Sequence, residues 1–133
     1  MIEITDGHDP RLSLLLEGTA YPDEDRLDLV VLDLEQGQPV AAMAGFQWGP
    51  VPLLEHLSVA PHRFSCARLR RLLAAFVAEA TRRWGGTVIV TALAPVQPQI
   101  DLLRTVCRHL GGVVYARDAA REWVAFYRKE PRR

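Results

Sequence analysis

Apolar residues recur along this chain with two different periods. Between Leu27 and Val59 they form short runs: LDLVVLDL (Leu27–Leu34), PVAAMAGFQW (Pro39–Trp48) and VPLLEHLSV (Val51–Val59). Runs of this length, rich in branched side chains and bounded by glycine or proline, predict strands. The connections Glu35-Gln36-Gly37-Gln38 and Gly49-Pro50 are short enough to join only antiparallel neighbours, and Gly37 can supply a positive φ. Gly45, inside the second run, marks a bulge or a close backbone approach.

Past Val59 the period changes. Leu69, Leu72, Leu73, Phe76, Val77, Ala80 and Trp84 fall three or four residues apart. That spacing gives the apolar stripe of a helix of about four turns, which Gly85-Gly86 ends. Thr87–Leu93, TVIVTAL, is nearly all apolar or β-branched, as a strand buried on both faces beside a parallel neighbour would be. Strand, helix and second parallel strand make a right-handed βαβ unit. Pro95–Pro98 then leads into a helix with Ile100, Leu103, Val106, Cys107 and Leu110 on its buried side, ended by Gly111-Gly112. Val113–Ala116 is a short strand, Arg117–Arg121 a polar turn and Glu122–Lys129 the last strand.

At the other end, Ile2–Thr5 reads as a first strand. Asp9-Pro10 is the N-cap and first position of a short helix carrying Leu12, Leu15 and Leu16, which Gly18 can end; Thr19–Arg26 is a loop. The predicted order is β-α-βββ-α-β-α-ββ. This is a single α/β domain over residues 1–133, of three layers, with a mixed, mostly antiparallel sheet of about six to seven strands flanked by helices.

Composition narrows the partners. Sixteen basic and sixteen acidic side chains cancel, so nucleic acid is not expected as the main partner. Arg68, Arg70, Arg71, Arg82 and Arg83 cluster on the long helix and read as a solvated face. Two cysteines, Cys66 and Cys107, do not make a disulfide framework, and a reduced, cytoplasmic setting fits them. MIEITDGHDP has neither the basic nor the apolar part of a signal peptide, and no apolar run approaches ~18 residues, so no membrane span is expected. No Cys/His cluster has metal spacing.

The stretch around Val59 carries the chemistry. A strand that delivers its chain to a helix N-terminus creates a place for an anion, because the first N–H groups of a helix lack partners and its dipole adds positive charge. The phrase Leu54-Glu55-His56-Leu57-Ser58-Val59-Ala60-Pro61, followed by the apolar pair Leu72-Leu73 and later by His109-Leu110-Gly111-Gly112, resembles the GNAT superfamily of acyl-coenzyme A-dependent N-acetyltransferases. The resemblance spans about Leu27 to Lys129. It implies that acetyl-CoA is the co-substrate and that its pantetheine arm runs along the backbone of Leu57, Ser58 and Val59. The pyrophosphate would meet the turn of Ser65, Cys66, Ala67, Arg68 and Leu69, with Arg63 nearby.

The chain departs from that pattern in three places. The cofactor turn of the family begins with Arg or Gln and contains two small residues, usually glycines. Here the ungapped alignment gives Phe64-Ser65-Cys66-Ala67-Arg68-Leu69, with Ala67 and Leu69 at the glycine positions, and a shift of one residue puts Arg63 at the head with Cys66 and Arg68 at the glycine positions. Glycine matters in such a turn because a bare backbone lets phosphate oxygens approach several N–H groups. Arg63 and Arg68 could compensate with charge. A tyrosine common in the later helix is replaced by Cys107, either a proton donor or a small core residue. Only about twenty residues separate the first two strands, where the resemblance implies two helices.

Acyl transfer to an amine needs a base and donors for an oxyanion. Glu55, alone in an apolar strand, is the candidate base; it reads equally as an exposed or arginine-paired carboxylate. His56 is expected on the opposite face. Two functions follow. One is an N-acyltransferase moving an acetyl group from acetyl-CoA to an amine, by direct attack. The other is a catalytically inactive GNAT-derived binding or structural protein, phage- or virion-associated for example, acting through protein partners. A homodimer or larger assembly suits either. An enzyme needs an open cleft between the fourth and fifth strands, which Phe64, Leu69 or Trp84 would fill in a scaffold.

Overall fold

The computed structural model describes residues 1–12, 28–48, 51–60, 63, 65–84, 88–91, 104–117 and 122–126; for 48, 51–58, 89–91, 114–117 and 122–126 it describes the backbone alone. Ile2–Thr5 (β1), Leu29–Glu35 (β2), Gln38–Trp48 (β3) and Val51–Val59 (β4) are strands joined antiparallel in sequence order. Helix α1 (Cys66–Trp84) crosses from β4 to Val88–Thr91 (β5), which lies parallel to β4. Val113–Arg117 (β6) and Glu122–Phe126 (β7) close the sheet in the order β1-β2-β3-β4-β5-β7-β6. The mixed α/β character expected from the sequence is what the chain forms. The short helix after Asp9, the loop Thr19–Arg26, and the ends of the fifth and last predicted strands lie outside the described residues.

The β2–β3 hairpin turns through Gln36 (φ 51°) and Gly37 (φ 77°), with Glu35 opposite Gln38. Two consecutive positive φ values match the right-handed twist of the flanking strands. Gly37 takes its value without strain, whereas Gln36 is a less usual occupant of the left-handed region. The helical segment 104–109 ends in a hydrogen-bonded cap. Gly111 sits at φ 89°, its N–H bonds the Arg108 carbonyl at 3.0 Å, and the Gly112 N–H bonds the Cys107 carbonyl at 2.8 Å.

β2 is buried along nearly its whole length because both faces of the sheet are covered. On one face Leu29, Val31, Ala41 and Met43 meet Leu69, Leu72, Leu73, Phe76 and Ala80 of α1, with Val88, Val106 and Cys107. On the other, Val30, Leu32, Leu34, Ala42 and Ala44 pack with Leu12. At roughly 1.5–3 kcal/mol for each large side chain fully buried, the α1 face fixes the helix to the strands.

Two irregularities shape the end of the sheet near α1. Asp33 faces Ala41 while Leu34 faces Pro39, so Val40 is an extra residue on β3. Ala44 faces His56 while Gly45 faces Leu54, so Glu55 is an extra residue on β4. The bulge expected near Gly45 is therefore present, and the inserted residue is Glu55 across from it. A bulge suspends the two-residue repeat of a strand, so the expected opposite facing of Glu55 and His56 does not follow from alternation.

Candidate functional site

β4 pairs with β3 as far as Val59, opposite Ala41, yet its parallel pairing with β5 comprises Leu53–Ile89 and Leu54–Val90. Among the described residues, β4 from Glu55 to Val59 has no partner strand on its β5 side. A strand backbone without a partner on one side accepts an extended chain as an added strand. Glu55, the bulged residue, follows the last described β4–β5 pair. Leu57 and Ser58 lie on this stretch, and Val59 packs its side chain against the α1 core.

The turn after β4 is tied down by its own backbone. The Ala60 N–H donates to the carbonyl of Val40, the extra residue of β3, at 2.8 Å, and the Arg63 N–H donates to the Ala60 carbonyl at 3.0 Å. Ser65 then caps α1. Its Oγ accepts the Arg68 N–H at 3.1 Å, and its carbonyl accepts the Leu69 N–H at 3.0 Å. Ser65, Cys66 and Ala67 are exposed at the helix tip, and the first turn of α1 contains no acid. A capped, exposed helix N-terminus free of acidic side chains suits an anion.

The five predicted cofactor-turn residues divide at Ala67. Ser65, Cys66 and Ala67 face outward. Arg68 and Leu69 turn inward, because the third and fourth positions of the helix face the sheet. Leu69 is fully buried among the core residues. It occupies the core and not the cleft, and Trp84 packs beside the same core. Phe64 lies outside the described residues.

Arg68 does not lie on a solvated helix face, as its neighbours had suggested. Its Nε donates to Asp33 Oδ2 at 2.9 Å and its Nη1 to the Arg63 carbonyl at 2.7 Å, while Nη2 bonds Glu35. The Arg68 and Asp33 side chains are 10% and 2% exposed. Arg71 adds a donor to the same Asp33 oxygen at 3.1 Å, and the amino group of Met1 lies 3.3 Å from the other. Burial pushes the Asp33 carboxyl up, but the hydrogen bonds from Arg68, Arg71 and the amino group outweigh it and hold the carboxyl below its ordinary range. Burial likewise works against charge on Arg68, and the bonds to Asp33 and Glu35 raise its pKa despite that.

Arg63 has another environment. Its side chain is 54% exposed and its Nε is 3.7 Å from Glu35, beyond hydrogen-bond range. With Glu35, Gln36, Gln38 and Val40 it lines an open depression of about 580 Å³ beside the turn. Arg63 is thus a half-exposed cation at the rim of the α1 N-terminus.

Cys107 is fully buried with Val106 and Phe76, the surroundings of a packing residue. Neither cysteine is in a disulfide; Cys66 is exposed and Cys107 buried. Asp33, Glu35 and Arg71 were absent from the sequence-based candidates. The available signal was Asp33 itself, an acid in the otherwise apolar LVVLDL. Among the described residues, no helix is long and apolar enough to cross a membrane.

Solved acetyltransferases share this fold. The aminoglycoside 6'-N-acetyltransferase from Enterococcus faecium superposes with a TM-score of 0.71 at 19% identity, covering 99% of each chain. The IAA acetyltransferase from Bacillus cereus gives 0.72 at 14%, covering 96% of this chain and 98% of its own. The N-acetyltransferase PseH of Campylobacter jejuni, solved in complex with acetyl coenzyme A, gives 0.68 at 11%, covering 97% of this chain and all of its own. The fold of the chain is that of the GNAT acetyltransferases. No protein-family model matches the chain, and no curated protein sequence does.

Proposed function

We propose that the chain is a GNAT-type N-acyltransferase that moves an acetyl group from acetyl-CoA to a primary or secondary amine. The observation that carries this reading is that, among the described residues, β4 from Glu55 to Val59 has no partner on its β5 side and is followed in the chain by the exposed N-terminus of α1. An extended arm and a terminal anion need those two features in that order. The structural neighbours support the reading, because several were solved with acetyl-CoA or coenzyme A.

In this reading the backbone of Leu57, Ser58 and Val59 pairs with the pantetheine arm. The exposed tip of Ser65, Cys66 and Ala67 receives the pyrophosphate through backbone N–H groups, and Arg63 supplies charge from the rim. Leu69 serves by anchoring the helix, and Arg68 by holding the turn. Glu55, at the bulge after the last described β4–β5 pair, takes a proton from the incoming amine. Bulges commonly re-aim a side chain beside an active site. Bound acetyl-CoA supplies an activated thioester: the new C–N bond forms, the C–S bond then breaks, and the departing coenzyme A thiolate takes a proton from water, giving an amide and free coenzyme A thiol. Backbone N–H groups at the end of β4 are the donors placed to stabilise the oxyanion.

The test is a panel of amines incubated with acetyl-CoA, with free coenzyme A and acetylated product followed by chromatography. Product with at least one amine, falling about a hundredfold or more in Glu55→Gln at unchanged acetyl-CoA affinity, is the expected result. Equal turnover in Glu55→Gln would remove that residue from the chemistry.

A further inference from the structure

The β4–α1 turn contains no glycine: none occurs between Gly49 and Gly85. Its described residues are held by contacts. Those contacts are on the inner side. Val40 holds Ala60, Ala60 holds Arg63, and Arg68 Nη1 takes the Arg63 carbonyl at 2.7 Å. Arg68 is itself fixed at two further points, Asp33 and Glu35, on strand β2. A guanidinium is planar and its donors form a rigid fork. Three acceptors in three directions therefore leave it one position, and through it the turn is pinned to the sheet.

The same fork manages charge. Glu35 lines the depression with Arg63 and bonds Arg68 in the first turn of α1, where a bare carboxylate would repel an anion. Arg68 pairs with it, and Arg71 shares Asp33. Among the described residues, the Arg63 side chain is half exposed and its nearest carboxylate, Glu35, is 3.7 Å away.

We infer that Arg68 is a positioning residue for the anion-binding turn, its buried fork on Asp33, Glu35 and the Arg63 carbonyl taking the place of turn glycines. This rests on the reading of the turn as the pyrophosphate site. Arg68 touches no ligand in this account; it sets the path of the backbone that does.

Arg68→Lys is the informative variant. Lysine keeps a positive charge beside Asp33 but cannot serve all three acceptors at once. Affinities for acetyl-CoA and for S-acetylpantetheine, the same arm without pyrophosphate and nucleotide, are measured by NMR titration on wild type and variant. The expected result is about tenfold weaker acetyl-CoA binding in Arg68→Lys, the size of one lost charged hydrogen bond. The response to S-acetylpantetheine should stay unchanged. Unchanged acetyl-CoA affinity in a folded Arg68→Lys overturns the inference and leaves the acyltransferase reading intact. Equal loss for both ligands also overturns it, since a general loosening of the fold acts on both. Wild type binding neither ligand overturns the reading and the inference together. If Arg68→Lys does not fold, Glu35→Leu, which removes one of the three acceptors and retains the Arg68–Asp33 pair, carries the test. Roughly two- to threefold weaker acetyl-CoA binding supports the inference, because loss of the carboxylate charge alone would tighten it, and unchanged or tighter binding overturns it.

Discussion

Asp33 Oδ2 on β2 accepts from Arg68 Nε on α1 at 2.9 Å, with both side chains almost completely out of solvent. The two residues are 35 positions apart in sequence, so their bond ties the start of the central helix to a central strand. Removing one partner of a buried ion pair leaves the other charge without compensation, at a cost of about 3–5 kcal/mol. Asp33→Ala is expected to lower the unfolding free energy by that amount in urea titration. The double variant Asp33→Leu with Arg68→Met is expected to recover a substantial part, because both charges then leave together.

Acid should act through the same pair. The folded-state pKa of Asp33 lies below its unfolded value, so its contribution is fully present above about pH 4, the ordinary range of a carboxylate. It is lost as pH falls through the depressed folded value. Asp9 adds a contribution of the same sign, its carboxyl held down chiefly by the hydrogen bond from the Arg11 side chain. Stability measured in urea from pH 7 to pH 3 is expected to be flat and then to fall below about pH 4. Asp33→Asn is expected to show a shallower fall.

Leu69 offers a separate test, since it stands at a glycine position of the cofactor pattern yet is buried in the core. Leu69→Ala is expected to cost about 2–5 kcal/mol by leaving a cavity. Leu69→Gly should cost about 1 kcal/mol more through its helix propensity. Neither is expected to tighten acetyl-CoA binding. Tighter binding by Leu69→Gly would show that the leucine obstructs the turn.

The two thiols report on different places. Cys66 is exposed at the first position of α1, and Cys107 is buried. A maleimide reagent is expected to label Cys66 in the native protein and Cys107 only after unfolding, as read by mass spectrometry. Saturating acetyl-CoA should slow Cys66 labelling. An unchanged rate would place the ligand away from this helix tip.

Much of the fold was legible because its elements announce themselves by period. β4 falls at the predicted Val51–Val59, and α1 ends at the predicted Trp84. Gly111-Gly112 stops its helix through a cap whose φ only glycine takes easily. The site was less legible, for reasons particular to its residues. Arg68 sits between arginines on the sequence and reads as one of a solvated set. Its position one residue before Leu69 and four before Leu72 nevertheless places it at the edge of the buried stripe. Asp33 in LVVLDL is the matching signal: an acid in a doubly buried strand requires a cation. The bulge at Glu55 had no local signal of its own, since it arises from how β3 and β4 register across Gly45.

Isothermal calorimetry of the purified protein with acetyl-CoA, and separately with coenzyme A, tests the central claim most directly. The account expects saturable one-site binding near micromolar Kd, about −8 kcal/mol, retained in Glu55→Gln and weakened in Arg63→Ala. No heat up to millimolar ligand, from a sample shown by its unfolding transition to be folded, would contradict the acyltransferase reading while leaving the fold as described.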